Sequence, residues 1–287
     1  MRARTMLAAA TACGHRVAPR LAGYVHTAMF VNTRRLDRAP SDMCPLGARR
    51  ITLTGVHRVS TAYQWGSDDP SVLAMHGWGA DSTTMAAVVD VAVAHGESVL
   101  CFDAPGHGAS RGSQATLIEY VEAVGAVLRR FPSIQTVVAH SLSAIAVVAA
   151  IARSESSGVR SLLLLAPACS LSGVLDRWAA ERRLPAGVTM LVAKELRRRD
   201  GVPVSHWDIR TLGLGATVRV CILHDPQDHS VPFSDALQIA AGGRAELMET
   251  PGVGHHGILG SEQMRAALAS LLAPQDLHQS PSRKATR

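Results

Sequence analysis

Aromatic residues are scarce in this chain of 287 residues, with four Phe, four Trp and three Tyr. A core of ordinary density must therefore rely on Ala, Val, Leu and Ile. Lysine occurs only at Lys194 and Lys284, so the basic charge is almost wholly arginine. The formal charge of +6 is spread over the N-terminal stretch, the middle and the C-terminal end. No basic stripe interleaves with aromatics, so no nucleic-acid partner is expected. The five cysteines, Cys13, Cys44, Cys101, Cys169 and Cys221, are odd in number, scattered, and free of any C-x-x-C pair. That pattern argues against a disulfide framework or a zinc site and fits a reducing, cytoplasmic compartment. Nor does any apolar run approach the roughly 20 residues that cross a bilayer, so no integral membrane span is expected.

At 47% hydrophobic content the chain can bury a large core as one α/β domain. The first 16 residues, MRARTMLAAATACGHR, imitate a short export signal, with a cysteine, Cys13, where a lipid would attach. Their apolar stretch is short and holds Thr and Ala where Leu or Val would be stronger, so export or lipidation is the alternative and a packed helix the simpler reading. Residues 1–50 read as an N-terminal helix and an extended, Arg-rich connector carrying Pro40 and Pro45.

Beyond residue 50 the rhythm is regular. RRITLTGVHRVSTAYQWG alternates around Gly55 as an antiparallel hairpin, and SVLAMHGWG is a buried strand ending in a Gly-rich turn. Residues 81–95 and 114–130 are helical, the first with Asp81 and Ser82 as capping candidates. ESVLCFDAPGHG and IQTVVAHS are strands, the latter followed by a helix from Leu142; VRSLLLLAPA, ATVRVCILHDPQD and RAELMETPG are three more strands, and residues 261–272 a closing helix. Strands alternating with helices predict an α/β fold with a mainly parallel central sheet covered on both faces. Residues 170–215 are a polar, helix-prone insertion, expected to form a small helical lid between the core segments 51–169 and 216–273. The tail 274–287 is polar and basic, with the composition of a disordered segment.

On such a sheet, ligands bind at the carboxyl ends of the strands. Strand, A-H-S-L-S, helix is the layout of a nucleophile elbow: a tight turn strains the backbone at Ser141, lifts its hydroxyl clear, and demands small residues two positions either side. Ala139 and Ser143 replace the usual glycines and meet that demand. A plain helix N-cap at Ser141 is the structural alternative. An active serine needs a base, and the base a carboxylate. HDPQDHSVP supplies Asp225 and Asp228, and PGVGHHGIL supplies His255 and His256, each after a strand and in the order serine, acid, histidine.

These elements, with H-G-W-G at His76, F-D-A-P-G-H-G-A-S at residues 102–110, D-x-x-V-P from Asp228 and G-H at Gly254, resemble the α/β-hydrolase fold family over roughly residues 50–272. The resemblance implies a catalytic set of Ser141, Asp228 and His255. It selects Asp228 over Asp225, left as a turn former, and His255 over His256. By the same resemblance the oxyanion donors are the Trp78 and Leu142 N–H groups. Candidates for the substrate pocket are His76, Gly77, His140 and Trp178. His107 and His140 read as hydrogen-bonding groups, not bases. Leu184 joins Trp178 as a pocket candidate, and Arg182, Arg183 and Arg197 to Arg199 either steer an anionic substrate or form a solvated helix face.

The implied activity is hydrolysis of a small-molecule ester or thioester through an acyl-enzyme, with no metal or cofactor. A serine nucleophile disfavours the aspartate-dependent dehalogenase and epoxide hydrolase branches. A C–C bond hydrolase, a perhydrolase, an acyltransferase or a silent scaffold of the same fold are the alternatives.

Overall fold

The computed structural model describes residues 18–33, 44–154, 157–215 and 217–273. The expectations for the export-like start, Cys13, most of the connector with Pro40, and the tail from residue 274 lie outside the described residues.

Eight strands form one sheet: β1 (Arg49–Thr52), β2 (Thr61–Trp65), β3 (Val72–Met75), β4 (Val99–Phe102), β5 (Thr136–His140), β6 (Ser161–Leu165), β7 (Arg219–His224) and β8 (Ala245–Glu249). Their order is β1-β2-β4-β3-β5-β6-β7-β8. The predicted hairpin is β1 with β2, and β2 also pairs antiparallel with β4. Every other pair is parallel. The sheet is therefore mainly parallel, with an antiparallel edge.

Residues of β3 to β6 are all buried. Alternation along them feeds two separate cores: Leu73, Val137, Leu162 and Leu164 pack on one face, and Val72, Val138, Leu163 and Leu165 on the other. This two-sided burial explains why these strands read as continuous apolar runs. On the first face lie helices α3 (Leu117–Arg130) and α4 (Ser143–Ala152), packed against each other; on the second lie α2 (Ala86–Ala94) and α10 (Glu262–Leu272). Nine of the ten α4 residues are buried, consistent with its apolar composition all round.

Strand β3 sits between β4 and β5, so the chain winds outward one way through β4 and then crosses back to β5. Loops after β3 and β5 leave toward different helical layers and open a crevice at the strand ends. That reversal places the site.

The insertion contributes α5 (Leu171–Glu181), α6 (Val188–Asp200), a 3-10 turn (Val204–His206) and α7 (Ile209–Leu212). Helix α1 (Pro19–Phe30) packs on α6 of this insertion. Gly23 lets the helices touch, since a Cβ there would lie 3.1 Å from the Leu191 carbonyl oxygen. The residues after α1 bond the loop ahead of α3: Thr33 N–H donates to Ser113 O, and Ala115 N–H to Val31 O, both at 2.9 Å. Two short helices escaped the sequence reading, α8 (Phe233–Ala240) and α9 (Gly254–Gly257). Few residues mark them, and their turns follow motifs whose chemistry dominated the pattern.

No helix among the described residues is long and apolar enough to cross a membrane. Cys44 is exposed, whereas Cys101, Cys169 and Cys221 are buried free thiols.

Candidate active site

Between β5 and α4 the backbone turns at Ser141, whose φ of 58° places a non-glycine residue in the left-handed region. Such a conformation costs on the order of 1–2 kcal/mol, and the surrounding hydrogen bonds hold it in place. Ser141 N–H donates to Leu165 O at 2.9 Å. Ser143 does more than stay small: its hydroxyl lies 3.1 Å from Met75 O and 2.8 Å from His140 O, stitching β3 to the elbow. Sequence reasoning saw the size requirement and missed the hydrogen bonds.

The serine hydroxyl faces His255, with Ser141 Oγ 3.0 Å from His255 Nε2. On the other side of the ring, His255 Nδ1 lies 2.7 Å from Asp228 Oδ2. A carboxylate only accepts, so Nδ1 carries the proton and Nε2 is free to accept from the serine. Asp228 Oδ1 accepts the Ser230 and Val231 N–H groups at 2.7 and 3.0 Å. Burial of Asp228 would raise its carboxyl, but hydrogen bonds from His224, His255 and Val231 hold it well below the usual carboxylate range. It is thus a fixed negative charge beside the imidazole.

His140 is buried, and its Nε2 donates to the His255 carbonyl oxygen at 2.9 Å. Burial, then the neighbouring His255 ring, lowers its pKa to about 3. The hydrogen bond to the carbonyl acts the other way, and burial outweighs it. His256 lies at the cavity wall, 5.1 Å ring to ring from His255, and burial with His255 lowers its pKa. It is His255, not His256, that bonds Ser141 and Asp228.

The loop after β3 is held by His76, which is fully buried; its Nδ1 donates to Gly77 O at 2.8 Å and its Nε2 accepts the Ala104 N–H at 3.0 Å. The same loop is tied by Asp103, whose Oδ1 accepts the Ser82 N–H and hydroxyl at 2.7 and 2.6 Å, while Oδ2 accepts the Ala109 N–H at 2.8 Å. Gly108 makes that turn possible, because a Cβ there would sit 2.2 Å from Asp103 Oδ2. His107 bonds Tyr120 and packs edge-on against the Trp78 ring at 4.9 Å.

Ser141 and His255 open into a cavity of about 370 Å³ whose walls include Trp78 and Leu142. Among the described residues, no hydrogen bond engages the Trp78 or Leu142 N–H. Of the four residues expected in the pocket, Trp178 lines the cavity; His76 and His140 are buried and hydrogen-bonded in the loop and the elbow, and Gly77 lies against Ser141. Leu184 packs on the core without lining the cavity.

Phe30, Val31, Arg177, Leu196 and Asp200 line the cavity and carried no signal in the sequence. Phe30 meets Trp178 edge-on at 5.2 Å, and Arg177 pairs with Asp235 at 3.2 Å. Burial, then the charge of Glu119, raises the Asp200 carboxyl to about 6. The basic run is mostly spoken for: Arg198 and Arg199 bond Glu195 at 2.7 and 2.9 Å, and Arg182 lies over the Trp178 ring. No cluster of three or more His, Cys, Asp or Glu suited to a metal ion occurs among the described residues.

Comparison with known proteins adds to this geometry. A family model described as serine aminopeptidase, S33 matches residues 66–207. That stretch includes Ser141 and ends before Asp228. An esterase of Pyrococcus furiosus superposes with a TM-score of 0.60 at 15% identity, covering 83% of this chain and 96% of its own. The chain has the α/β-hydrolase fold. Two further members of the fold are similar: mouse alpha/beta hydrolase domain-containing protein 10, TM-score 0.57 at 20% identity over 78% of this chain and 97% of that one, and a bromoperoxidase of Bacillus anthracis, TM-score 0.54 at 18% identity over 78% and 98%. At these identities the likeness is one of fold. No curated protein matches the sequence.

Proposed function

We propose that this α/β-hydrolase is a serine hydrolase that cleaves a carboxylic ester or thioester through an acyl-enzyme on Ser141. The reading rests on one observation, the continuous relay from Ser141 Oγ to His255 Nε2 at 3.0 Å and from His255 Nδ1 to Asp228 Oδ2 at 2.7 Å.

In the first half, Ser141 Oγ attacks the substrate carbonyl carbon as His255 Nε2 takes its proton. Asp228, locked by two backbone donors, stabilises the imidazolium. Charge moves to the carbonyl oxygen, where the Trp78 and Leu142 N–H groups are the donors, each worth about 3–4 kcal/mol in such a site. The start of α4 adds the positive end of its dipole. His255 returns the proton to the leaving alkoxide or thiolate. In the second half, a water replaces the serine: His255 takes its proton, hydroxide adds to the acyl carbon, and Ser141 Oγ leaves with that proton. All these groups belong to the chain, so the chemistry calls on no cofactor.

A silent binding protein would have no use for a strained serine held against an imidazole and a buried carboxylate. Labelling with a fluorophosphonate separates the two: wild type reacts rapidly, Ser141→Ala does not, and Asp228→Asn reacts slowly. Folded wild type that stays unlabelled would overturn the proposal. A panel of p-nitrophenyl esters of graded acyl length then reads the cavity.

A further inference from the structure

Helix α1 is inside out. Its buried positions are Gly23, His26 and Thr27, whereas Leu21, Tyr24, Val25 and Met29 are 63%, 56%, 46% and 44% exposed. The cause is the close crossing at Gly23, where a Cβ would already press on the Leu191 carbonyl at 3.1 Å. Leu21, Val25 and Met29 recur four apart, with Tyr24 beside them, so they form one outward stripe. Met190 on α6 is likewise exposed, at 54%. Five of the eight large hydrophobic side chains exposed among the described residues therefore lie on these two helices. A concentrated apolar patch of this kind marks an interaction surface.

Charge decides the partner. A shallow groove between α1 and α6 is lined by Arg20, Lys194 and Arg198; Arg198 shares the groove's one carboxylate, Glu195, with Arg199, so the cations around the groove outnumber the anion. Cations flanking an apolar helix face complement an anionic lipid surface, where the side chains sink into the interface and the ammonium and guanidinium groups meet phosphates. A second copy docking through the same face would instead set these cations against one another. The stripe also runs into the active-site wall, because Phe30 and Val31, directly after Met29, line the cavity of Ser141.

We propose that α1 and the exposed side of α6 seat the protein on an anionic membrane surface, and that a lipophilic acyl ester passes from the bilayer into the cavity. The second clause rests on the serine hydrolase reading; the first does not.

The test is co-sedimentation of the full chain with phosphatidylcholine vesicles, with and without phosphatidylglycerol. Binding should favour the anionic vesicles and fall with salt, as exposed charge pairs do. The triple variant Leu21→Ser, Val25→Ser, Met29→Ser should lose about tenfold or more of its vesicle affinity. Lys194→Glu should weaken binding to anionic vesicles alone. Circular dichroism of each variant shows that it is folded, and none of these side chains lines the cavity. Equal binding by folded triple variant and wild type, or no preference for phosphatidylglycerol, overturns the proposal. So does a wild-type dimer in light scattering that the triple variant dissolves. Ser141→Ala should dock as wild type does. With docking in place, the triple variant should keep its kcat/KM on soluble p-nitrophenyl butyrate and lose rate on a vesicle-borne ester. Turnover of neither ester by a docking wild type would sink the hydrolase reading and leave the surface intact.

Discussion

Asp225 Oδ2 accepts the Gly254 N–H at 2.6 Å while its Oδ1 accepts the Gln227 N–H at 2.8 Å. One carboxylate thus joins the turn that presents Asp228 to the turn that presents His255. Burial would raise its carboxyl, yet the N–H groups of Gln227, Gly254 and Gly252 hold it below the usual range. As a turn former it was half described by the sequence; its second bond spans the site. Asp225→Asn should lower the melting temperature and reduce kcat by about tenfold, through misplacement of His255. Asp228→Asn, which reverses the imidazole tautomer, should cost about 10⁴ in kcat. Steady-state kinetics on one soluble ester compares them, and the opposite ranking would assign the acid to Asp225.

Gly77 carries a second prediction. A Cβ there would lie 2.8 Å from His140 Nδ1 and 3.1 Å from Ser141 Cβ. Gly77→Ala must push the loop after β3 away from the elbow, and displacements of about 1 Å at such sites cost up to about 10²-fold in rate. We expect kcat/KM to fall by about that factor in protein that still folds, measured beside a thermal melt. An unchanged kcat would mean that the loop does not serve the reacting carbonyl.

Trp178 is the large side chain shared between the insertion and α1, 9% exposed and edge-on to Phe30. Trp178→Ala should destabilise the fold by about 3–5 kcal/mol. It should also enlarge the cavity. The optimum acyl length for p-nitrophenyl esters is expected to move upward, with KM rising for short chains. An unaltered chain-length profile would place the acyl group elsewhere.

His140 titrates near 3 when folded and near 6.5 when unfolded. In that window the unfolded chain binds the extra proton, so stability rises with pH and is lost on acidification, by up to about 1.4 kcal/mol per pH unit. His140→Gln can still donate to the His255 carbonyl but cannot titrate. Its unfolding free energy, from urea melts between about pH 4 and 6, should therefore be flatter than that of wild type by one proton. Parallel curves would show that His140 is not kept neutral by the fold.

Much of this was legible beforehand for a local reason. Strands β3 to β6 are apolar runs bounded by turn residues, and each loaded motif sits where such a run ends. The strained turn at Ser141 was legible because only small neighbours permit it. Choosing Asp228 over Asp225 needed the family resemblance, since both carboxylates follow the same strand and both are buried in hydrogen bonds. That the His76 and His140 rings would turn into the loop and the elbow was not legible, because a residue's adjacency in sequence to Ser141 or Trp78 says nothing of which way its side chain turns.

By itself the sequence determined the alternation of strand and helix, the order of serine, acid and histidine, and the turns that carry them, because backbone preference and apolar period act over a few residues. Tertiary structure alone decided that α1 would close the cavity with Phe30 and Val31, that Ser143 would bond Met75, and that Asp225 would clamp two loops. Those contacts join residues far apart in the chain, and only packing of the sheet and its insertion brings them within reach.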